Sequence, residues 1–196
     1  ELKAYNADCF VVVAFRILPT EVFCIPPKGT FNLHASLLPK YRGAAPINWA
    51  LIRGESESGV TTFFIDKQID TGKMLLQRQV SLNTDMTAGE LHDLLMQKGA
   101  DLVLETVNAI ESGKIQPVKQ EGEVTAAPKL NKDLCRIDWS QSAQSVHNLI
   151  RGLSPYPGAF SIFKGKRIQI LRSSPVEHVS DNAHPGTVMR VEKQQV

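Results

Sequence analysis

The sequence predicts an α/β fold in which a mostly parallel sheet flanked by helices is followed by a smaller β-rich module. An apolar run, Phe10–Ala14, is typical of a parallel strand that is covered on both faces. Strand-like and helix-like segments then alternate up to about residue 115, which indicates a sheet of mainly parallel strands. Beyond that point the pattern gives way to charged and small residues before short apolar strands return. We therefore expect a domain over residues 1–115, a linker over residues 116–134 and a second domain over residues 135–196.

Local signals place the elements of the first domain in chain order. A proline-rich loop at residues 26–29 can continue neither a helix nor a strand, so a new strand is expected after it. Pro46 suits the first turn of a helix, and Thr87 with Glu90 has the form of a capping box that opens a second helix. Gly113 is placed to close that helix. The other expected elements are strands at residues 31–34, 60–65 and 74–80, and a helix over residues 46–53.

Similar signals predict the elements of the second domain. Ser142 can cap a short helix, which nearby prolines stop. Strand-like runs follow, and a Lys-Gly-Lys hairpin turn separates the first two. The predicted strands are Ala159–Phe163, Arg167–Leu171 and Thr187–Val191.

Composition and charge limit the classes of function. With 42% hydrophobic and 21% charged residues, the chain has the composition of an ordinary globular protein. Its formal net charge of +2 gives no global basic field, so any nucleic-acid surface must be local. The three cysteines and five histidines lack the spacing of metal ligands, so no metal site is expected. No apolar stretch reaches the roughly 20 residues that cross a bilayer, and there is no signal peptide. A cytoplasmic protein without membrane contact is therefore expected.

Three polar side chains have the chemistry of group transfer to an amine. Asn32 and His34 project from the same face of one predicted strand, and Asp70 lies in a polar loop after the next strand. An amide can donate to a developing oxyanion, an imidazole can manage protons near neutral pH, and a carboxylate can orient the imidazole. By spacing alone, ordinary buried hydrogen-bond partners remain the more common explanation for such residues.

A longer stretch of sequence carries a resemblance to a known family. Residues 31–46, FNLHASLLPKYRGAAP, resemble the signature of the methionyl-tRNA formyltransferase family, within the wider group of enzymes that use 10-formyltetrahydrofolate. Residues 59–61 and 69–72 resemble the family's second catalytic loop, and residues 129–130 and 136–139 resemble its interdomain junction. The similarity covers nearly the whole chain. The family's N-terminal portion and the end of its C-terminal barrel are absent, so we expect a chain truncated at both ends.

The resemblance implies a fold, a reaction and catalytic roles. The fold would be a partial Rossmann-like formyltransferase domain followed by a partial OB-like β-barrel. The reaction would move a formyl group from 10-formyltetrahydrofolate to the α-amino group of methionyl initiator tRNA, for translation initiation. Asn32 would polarise the formyl oxygen, His34 would stabilise the tetrahedral intermediate and manage protons, and Asp70 would keep His34 charged and oriented.

The resemblance also implies binding residues. The folate co-substrate would contact two loops, and the C-terminal hairpin would meet tRNA phosphates. The folate-binding residues would be Phe15, Arg16, Leu18, Ser36, Leu37, Leu38 and Pro39, and the tRNA-binding residues Lys164, Lys166 and Arg167. Arg172 extends the same basic cluster. A monomer is expected.

Two other functions stay open from the sequence. A formyltransferase acting on a nucleotide-linked amino sugar would share the Asn32, His34 and Asp70 trio and a similar C-terminal extension. A non-catalytic folate-binding relative would keep the fold without turnover, because catalysis depends on positioning. The hairpin cations likewise have a simpler explanation as solvated surface charge. Arg16 departs from the smaller residue that many tRNA-formylating relatives carry, which weakens the choice of acceptor.

Overall fold

The computed structural model describes residues 1–14, 17–176 and 183–192, and these contain both strands and helices. A short 3-10 turn at Leu2–Tyr5 comes first. The strands are β1 (Phe10–Val13), β2 (Thr30–His34), β3 (Arg42–Gly43), β4 (Glu57–Phe64), β5 (Met74–Ser81), β6 (Ala126–Ala127), β7 (Ala159–Phe163) and β8 (Lys166–Ile170). The helices are α1 (Thr20–Phe23), α2 (Pro46–Ile52), α3 (Ala88–Glu111) and α4 (Ala143–Leu153). None of the helices in the described ranges is long and apolar enough to cross a membrane.

The main sheet has the strand order β1-β2-β4-β5, and the fold class is α/β as predicted. The described strands of this sheet pair in both directions. Within it, β1 and β2 pair in parallel, whereas β2–β4 and β4–β5 pair antiparallel. The loop at residues 65–73 explains the last pairing, because a connection this short returns the chain beside the strand it left and leaves no room for a crossover helix.

β1 lies at one end of the strand order, and its side chains alternate between half-buried and exposed among the described residues. Val11 and Val13 are 43% and 55% exposed, whereas Phe10 and Val12 are half-buried. Among the described residues, β1 is hydrogen-bonded on one side only, to β2. Successive side chains of a strand point to opposite faces, so Val11 and Val13 lie on one face of β1, and Phe10 and Val12 lie on the other.

One hydrophobic core lies between the main sheet and α3. Leu51, Leu91 and Leu102 are completely or almost completely buried there. Full burial of such a side chain contributes about 2 kcal/mol. The predicted capping box is present: the Thr87 side chain accepts from the Glu90 N–H, and the Glu90 carboxylate accepts from the Thr87 N–H. Thr87 therefore fixes where α3 begins, and through it how the helix lies on the sheet.

The segment predicted as a second domain contains the predicted helix and hairpin. The Ser142 hydroxyl accepts from the Ser145 N–H at 3.1 Å, so it caps α4, which packs on α2. β7 and β8 meet at a two-residue turn in which Lys164 and Gly165 both have positive φ, as a tight hairpin requires. The strand expected at Thr187–Val191 is wrong: this stretch is coil, without a partner strand among the described residues. The OB-like barrel stays a prediction.

The segment predicted as a linker packs along the loops of the first domain. Its strand β6 pairs in parallel with β3, and Val118 exchanges two backbone hydrogen bonds with Met74. The Trp49 indole N–H donates to the Pro128 carbonyl at 2.7 Å. β3 follows the end of β2, where His34 lies, and Met74 begins β5, just after the loop that carries Asp70. These contacts therefore place residues 118–128 close to two of the predicted catalytic residues.

Candidate functional site

Two members of the predicted catalytic trio lie together. His34 ends β2, and Asp70 lies in the loop between β4 and β5. His34 Nδ1 is 3.8 Å from Asp70 Oδ2, and both side chains are largely buried. Asn32 lies on β2 two residues before His34 and pairs across the sheet with Phe63. The local strand geometry and one loop thus bring an amide, an imidazole and a carboxylate to the same part of the sheet.

The orientation of the His34 ring is set by a backbone carbonyl. Nε2 lies 2.8 Å from the carbonyl oxygen of Tyr41, which can only accept a hydrogen bond. Nε2 therefore carries the proton, and Nδ1 is the nitrogen that faces Asp70. The ring also packs edge-on against Phe63, with centroids 6.4 Å apart. Among the two ring nitrogens, Nδ1 is thus the one that can exchange a proton.

Asp70 is held in an unusual backbone conformation. Its φ is 55°, in the left-handed region that L residues rarely adopt. The Gly43 N–H donates to its Oδ2 at 2.8 Å, and the Gln120 side chain donates to its carbonyl at 2.9 Å. Gly72 closes the loop against β4 so tightly that an added Cβ would lie 1.6 Å from the Phe64 carbonyl oxygen. The loop is therefore fixed from several sides.

The Asn32 side chain has an unsatisfied buried oxygen. Among the described residues, its Oδ1 is the buried side-chain atom that has no hydrogen-bond partner. An unpaired polar atom in a buried position costs about 1–3 kcal/mol, and most such atoms in folded proteins have a partner. A ligand that donates a hydrogen bond would remove this cost. The orphaned oxygen therefore makes Asn32 a candidate contact for a bound molecule.

The predicted folate loop, residues 36–39, is fixed to β4 and β5 by polar side chains. The Thr61 hydroxyl donates to the Ser36 carbonyl at 2.7 Å and accepts from the Leu38 N–H at 3.2 Å. The Gln77 amide donates to the Leu38 carbonyl at 2.8 Å. Leu38 and Pro39 are buried and Leu37 is half-buried. These contacts give the loop a rigid shape, as a small-molecule site requires.

The other predicted folate residues lie near the end of β1. Leu18 is half-buried. Phe15 and Arg16 lie outside the described residues.

The predicted tRNA-binding cations are exposed on the hairpin. The side chains of Lys164, Lys166 and Arg167 are all exposed, and the Arg167 guanidinium carbon lies 4.0 Å from the centroid of the Phe160 ring. Arg172 differs, because its Nη2 lies 2.6 Å from Glu90 Oε1. Its charge is thus compensated, so the basic cluster consists of the other three side chains.

Sequence reasoning missed the groups that hold the site together. The Tyr41 carbonyl and the Gly43 N–H are backbone groups, and every residue type supplies a carbonyl. Burial, and then a hydrogen bond to Glu55, raise the pKa of the Tyr41 hydroxyl, so this phenol does not move protons near neutral pH. Gln120 lies in the predicted linker among charged residues, and no local pattern distinguishes it from a solvated side chain.

Comparisons with known proteins show the family to which the chain belongs. The family model described as "Formyl transferase" matches residues 1–107, and the one described as "Formyl transferase, C-terminal domain" matches residues 129–196. A methionyl-tRNA formyltransferase of Clostridium botulinum is 49% identical over 197 residues, which cover all of this chain and 63% of the relative. The chain thus spans 63% of the length of that relative.

Solved structures share the fold. HypX from Aquifex aeolicus in complex with tetrahydrofolic acid has a TM-score of 0.77 at 24% identity, over 94% of this chain and 32% of HypX. Methionyl-tRNA formyltransferase from Clostridium thermocellum has a TM-score of 0.69 at 22% identity, over 89% of this chain and 75% of that enzyme. Because the first family model alone spans more than half of the residues, the chain belongs to the formyl transferase family.

Proposed function

We propose that the protein containing this chain transfers a formyl group from 10-formyltetrahydrofolate to the α-amino group of methionyl initiator tRNA. The observation that carries this proposal is the pairing of His34 with Asp70 beside the unsatisfied Asn32 amide. The 49% identity to a methionyl-tRNA formyltransferase over the whole chain supports the choice of acceptor. The same residues would also suit a formyltransferase acting on an amino sugar, which the experiment below distinguishes.

Asn32 suits the reacting atoms because an amide offers a donor and an acceptor side by side. During transfer, the acceptor nitrogen and the formyl oxygen are attached to one carbon. The Asn32 Nδ2–H would donate to that oxygen as it gains negative charge, and Oδ1 would accept an N–H of the attacking amine. These two hydrogen bonds would be strongest in the transition state, when the oxygen carries negative charge and the nitrogen positive charge. Interactions that are stronger in the transition state than in the bound substrates lower the activation barrier. It also gives the buried Oδ1 a partner.

His34 and Asp70 would manage the protons of the reaction. The new bond joins the amine nitrogen to the formyl carbon, and the bond from that carbon to N10 of the folate breaks. The amine therefore loses one proton and N10 gains one. His34 Nδ1 is the ring nitrogen free to exchange a proton, and the carboxylate of Asp70 stabilises the ring when it is protonated.

The binding sites follow as parts of the same proposal. 10-Formyltetrahydrofolate supplies the formyl group, and the loop over residues 36–39, together with Leu18, would form one wall of its site. A structural neighbour in complex with tetrahydrofolic acid supports a folate site in this fold. The exposed cations of the hairpin, Lys164, Lys166 and Arg167, would contact tRNA phosphates. Residues 1–115 would carry catalysis and residues 135–196 would carry tRNA contacts.

The experiment is transfer of radiolabelled formyl from 10-formyltetrahydrofolate by the full-length protein. Methionyl initiator tRNA and a nucleotide-linked amino sugar are offered in parallel. We expect label on the tRNA, and a fall of about 10²–10³-fold in kcat for Asn32→Ala. Asn108→Ala, which removes an exposed asparagine on α3, is the matched control and should behave as the wild type. Label on the sugar alone would overturn the acceptor, and no label on either would overturn the reaction.

A further inference from the structure

One side chain of the predicted linker reaches the candidate active site. Gln120 Oε1 accepts hydrogen bonds from Arg42 Nε at 3.1 Å and Arg42 Nη2 at 2.6 Å. Its Nε2 donates to the Asp70 carbonyl at 2.9 Å and to the Gly72 carbonyl at 2.8 Å. We call Arg42, Gln120, Asp70 and Gly72 the Gln120 bridge. It joins the linker, β3 and the loop of the catalytic carboxylate.

The chemistry of the Gln120 bridge specifies an amide at its centre. A guanidinium can only donate hydrogen bonds, and a carbonyl oxygen can only accept them. The central group must therefore accept hydrogen bonds from Arg42 on one side and donate two hydrogen bonds to the carbonyl oxygens on the other. A primary amide does both in one orientation. A carboxylate at the same place could still pair with Arg42, but its second oxygen would face two carbonyl oxygens without a proton to donate. A methyl group would leave all three partners unpaired.

The Gln120 bridge holds Asp70 at the part of its backbone that is strained. A left-handed φ of 55° is strained in a residue other than glycine, and it persists where neighbouring contacts determine it. Gln120 holds the carbonyl of Asp70, while the Gly43 N–H holds its carboxylate. Together these contacts fix the direction in which Oδ2 points toward His34.

The same segment also fixes the second partner of His34. The Thr125 hydroxyl accepts from the Tyr41 N–H at 2.8 Å, and the Thr125 carbonyl accepts from the Arg42 N–H at 2.9 Å. The carbonyl of Tyr41 is the acceptor for His34 Nε2. Residues 120–125 therefore hold in place the groups that face both ring nitrogens of His34.

We infer that Gln120 is a positioning residue for the transfer reaction, which sets the placement of Asp70 against His34 without touching the substrate. The inference rests on the proposed function of the Asn32, His34 and Asp70 site. Without the two hydrogen bonds from Gln120, the loop relaxes from its left-handed conformation and the carboxylate moves. A displacement of about 1 Å at a catalytic group can cost about 10²-fold in rate.

The first test is hydrogen–deuterium exchange on the full-length protein, which needs no catalytic turnover. Gln120→Ala and the near-isosteric Gln120→Glu are compared with Gln116→Ala, which truncates an exposed glutamine of the same linker. We expect exchange in the peptide over residues 66–73 to become faster by about threefold or more in both Gln120 variants and to stay unchanged in the control. Unchanged exchange in the Gln120 variants overturns the inference, whatever their activity.

The second test is steady-state kinetics of formyl transfer with the same variants. We expect kcat to fall about 10- to 100-fold in both Gln120 variants, with KM for either substrate within about twofold of wild type. In an Asp70→Asn background, Gln120→Ala should cost less than about twofold more, because residues that act as a unit are not additive. Additive losses or wild-type kcat overturn the inference. A wild-type protein that transfers no formyl refutes the proposed function instead, and the exchange measurement still decides the role of Gln120.

Discussion

The surroundings of His34 and the C-terminal hairpin use polar residues in opposite ways. Around His34, the side chains are buried and contact backbone groups of several loops. On the hairpin, Lys164, Lys166 and Arg167 are exposed. The charged groups of Lys164 and Arg167 lie over neighbouring phenylalanine rings. In the first region, hydrogen bonds fix the position of each polar side chain. In the second region, the side chains supply positive charge, and few contacts fix where each charge lies.

This difference predicts how each region responds to mutation. Buried groups that hold each other act as a unit, so a single substitution there has a large and non-additive effect. Exposed charges interact with a partner through a screened field, so each contributes a small and salt-dependent part. The three changes below test this contrast, beginning with the largest expected effect.

His34→Ala should reduce formyl transfer severely while leaving folate binding largely intact. Loss of a positioned proton carrier costs about 10²–10⁴-fold in rate, whereas the predicted folate loop at residues 36–39 is held by Thr61 and Gln77 instead of His34. Single-turnover transfer and equilibrium folate binding measure the two effects separately. His92→Ala, on the exposed face of α3, is the matched control. Near-normal turnover would refute the proposed role of His34.

Charge reversal on the hairpin should weaken tRNA binding moderately. Lys166→Glu with Arg167→Glu is expected to lower affinity about 10-fold near 0.1 M salt and to reduce the slope of log K against log salt by about two. The control is Lys98→Glu with Lys114→Glu, which makes the same change of charge on exposed lysines of the first domain. Filter binding across a salt series measures both quantities. An unchanged salt slope in the hairpin variant would contradict a phosphate contact there.

Glu90, in the first turn of α3, pairs with Arg172 next to the hairpin, and its substitution should have the smallest effect. Hydrogen bonds from the Thr87 backbone, from Arg172 and from the Thr87 hydroxyl lower the pKa of Glu90 to about 2. A lowered pKa stabilises the fold above the unfolded value of about 4.3, and this contribution is lost as the pH falls toward 2. Because the side chain is 49% exposed, the contribution should stay below about 1 kcal/mol.

Glu90→Gln should therefore be less stable than wild type at pH 6, and the difference should shrink by pH 3. Urea unfolding at both pH values measures it. Glu105→Gln is a matched control, since Glu105 also pairs with an arginine on an exposed surface but closes no capping box. A difference that grows toward pH 3 would contradict the assigned cause.

Elements with strong local signals were predictable from the sequence. Thr87 and Glu90 carry a complete capping box, Ser142 caps α4, and the Lys-Gly pair forms the hairpin turn. Each of these signals lies within four residues, so the chain needs no distant partner to express it. The direction of the strands was harder to predict from the sequence. A strand of given composition can pair in parallel or antiparallel, and its neighbours in the sheet determine which. The coil at Thr187–Val191 shows the same limit, because a strand needs a partner.

The candidate site was predictable in its residue types and in the alternation that aims Asn32 and His34 together. The groups that orient these residues were not. The Tyr41 carbonyl, the Gly43 N–H and the Gln120 amide approach the trio only after segments far apart in sequence pack together. A backbone group gives no signal in a sequence, since nearly every residue has one.

The sequence by itself determined the α/β class, the positions of most helices and strands, and the amide, imidazole and carboxylate available for chemistry. Only the tertiary structure decided that one oxygen of Asn32 is buried without a partner among the described residues, and that the segment predicted as a linker holds the loop of Asp70. The physical reason is the range over which each effect acts. Propensities, caps and turns act over a few residues, whereas Asp70 and Gln120 are 50 positions apart in sequence and meet only in the folded chain.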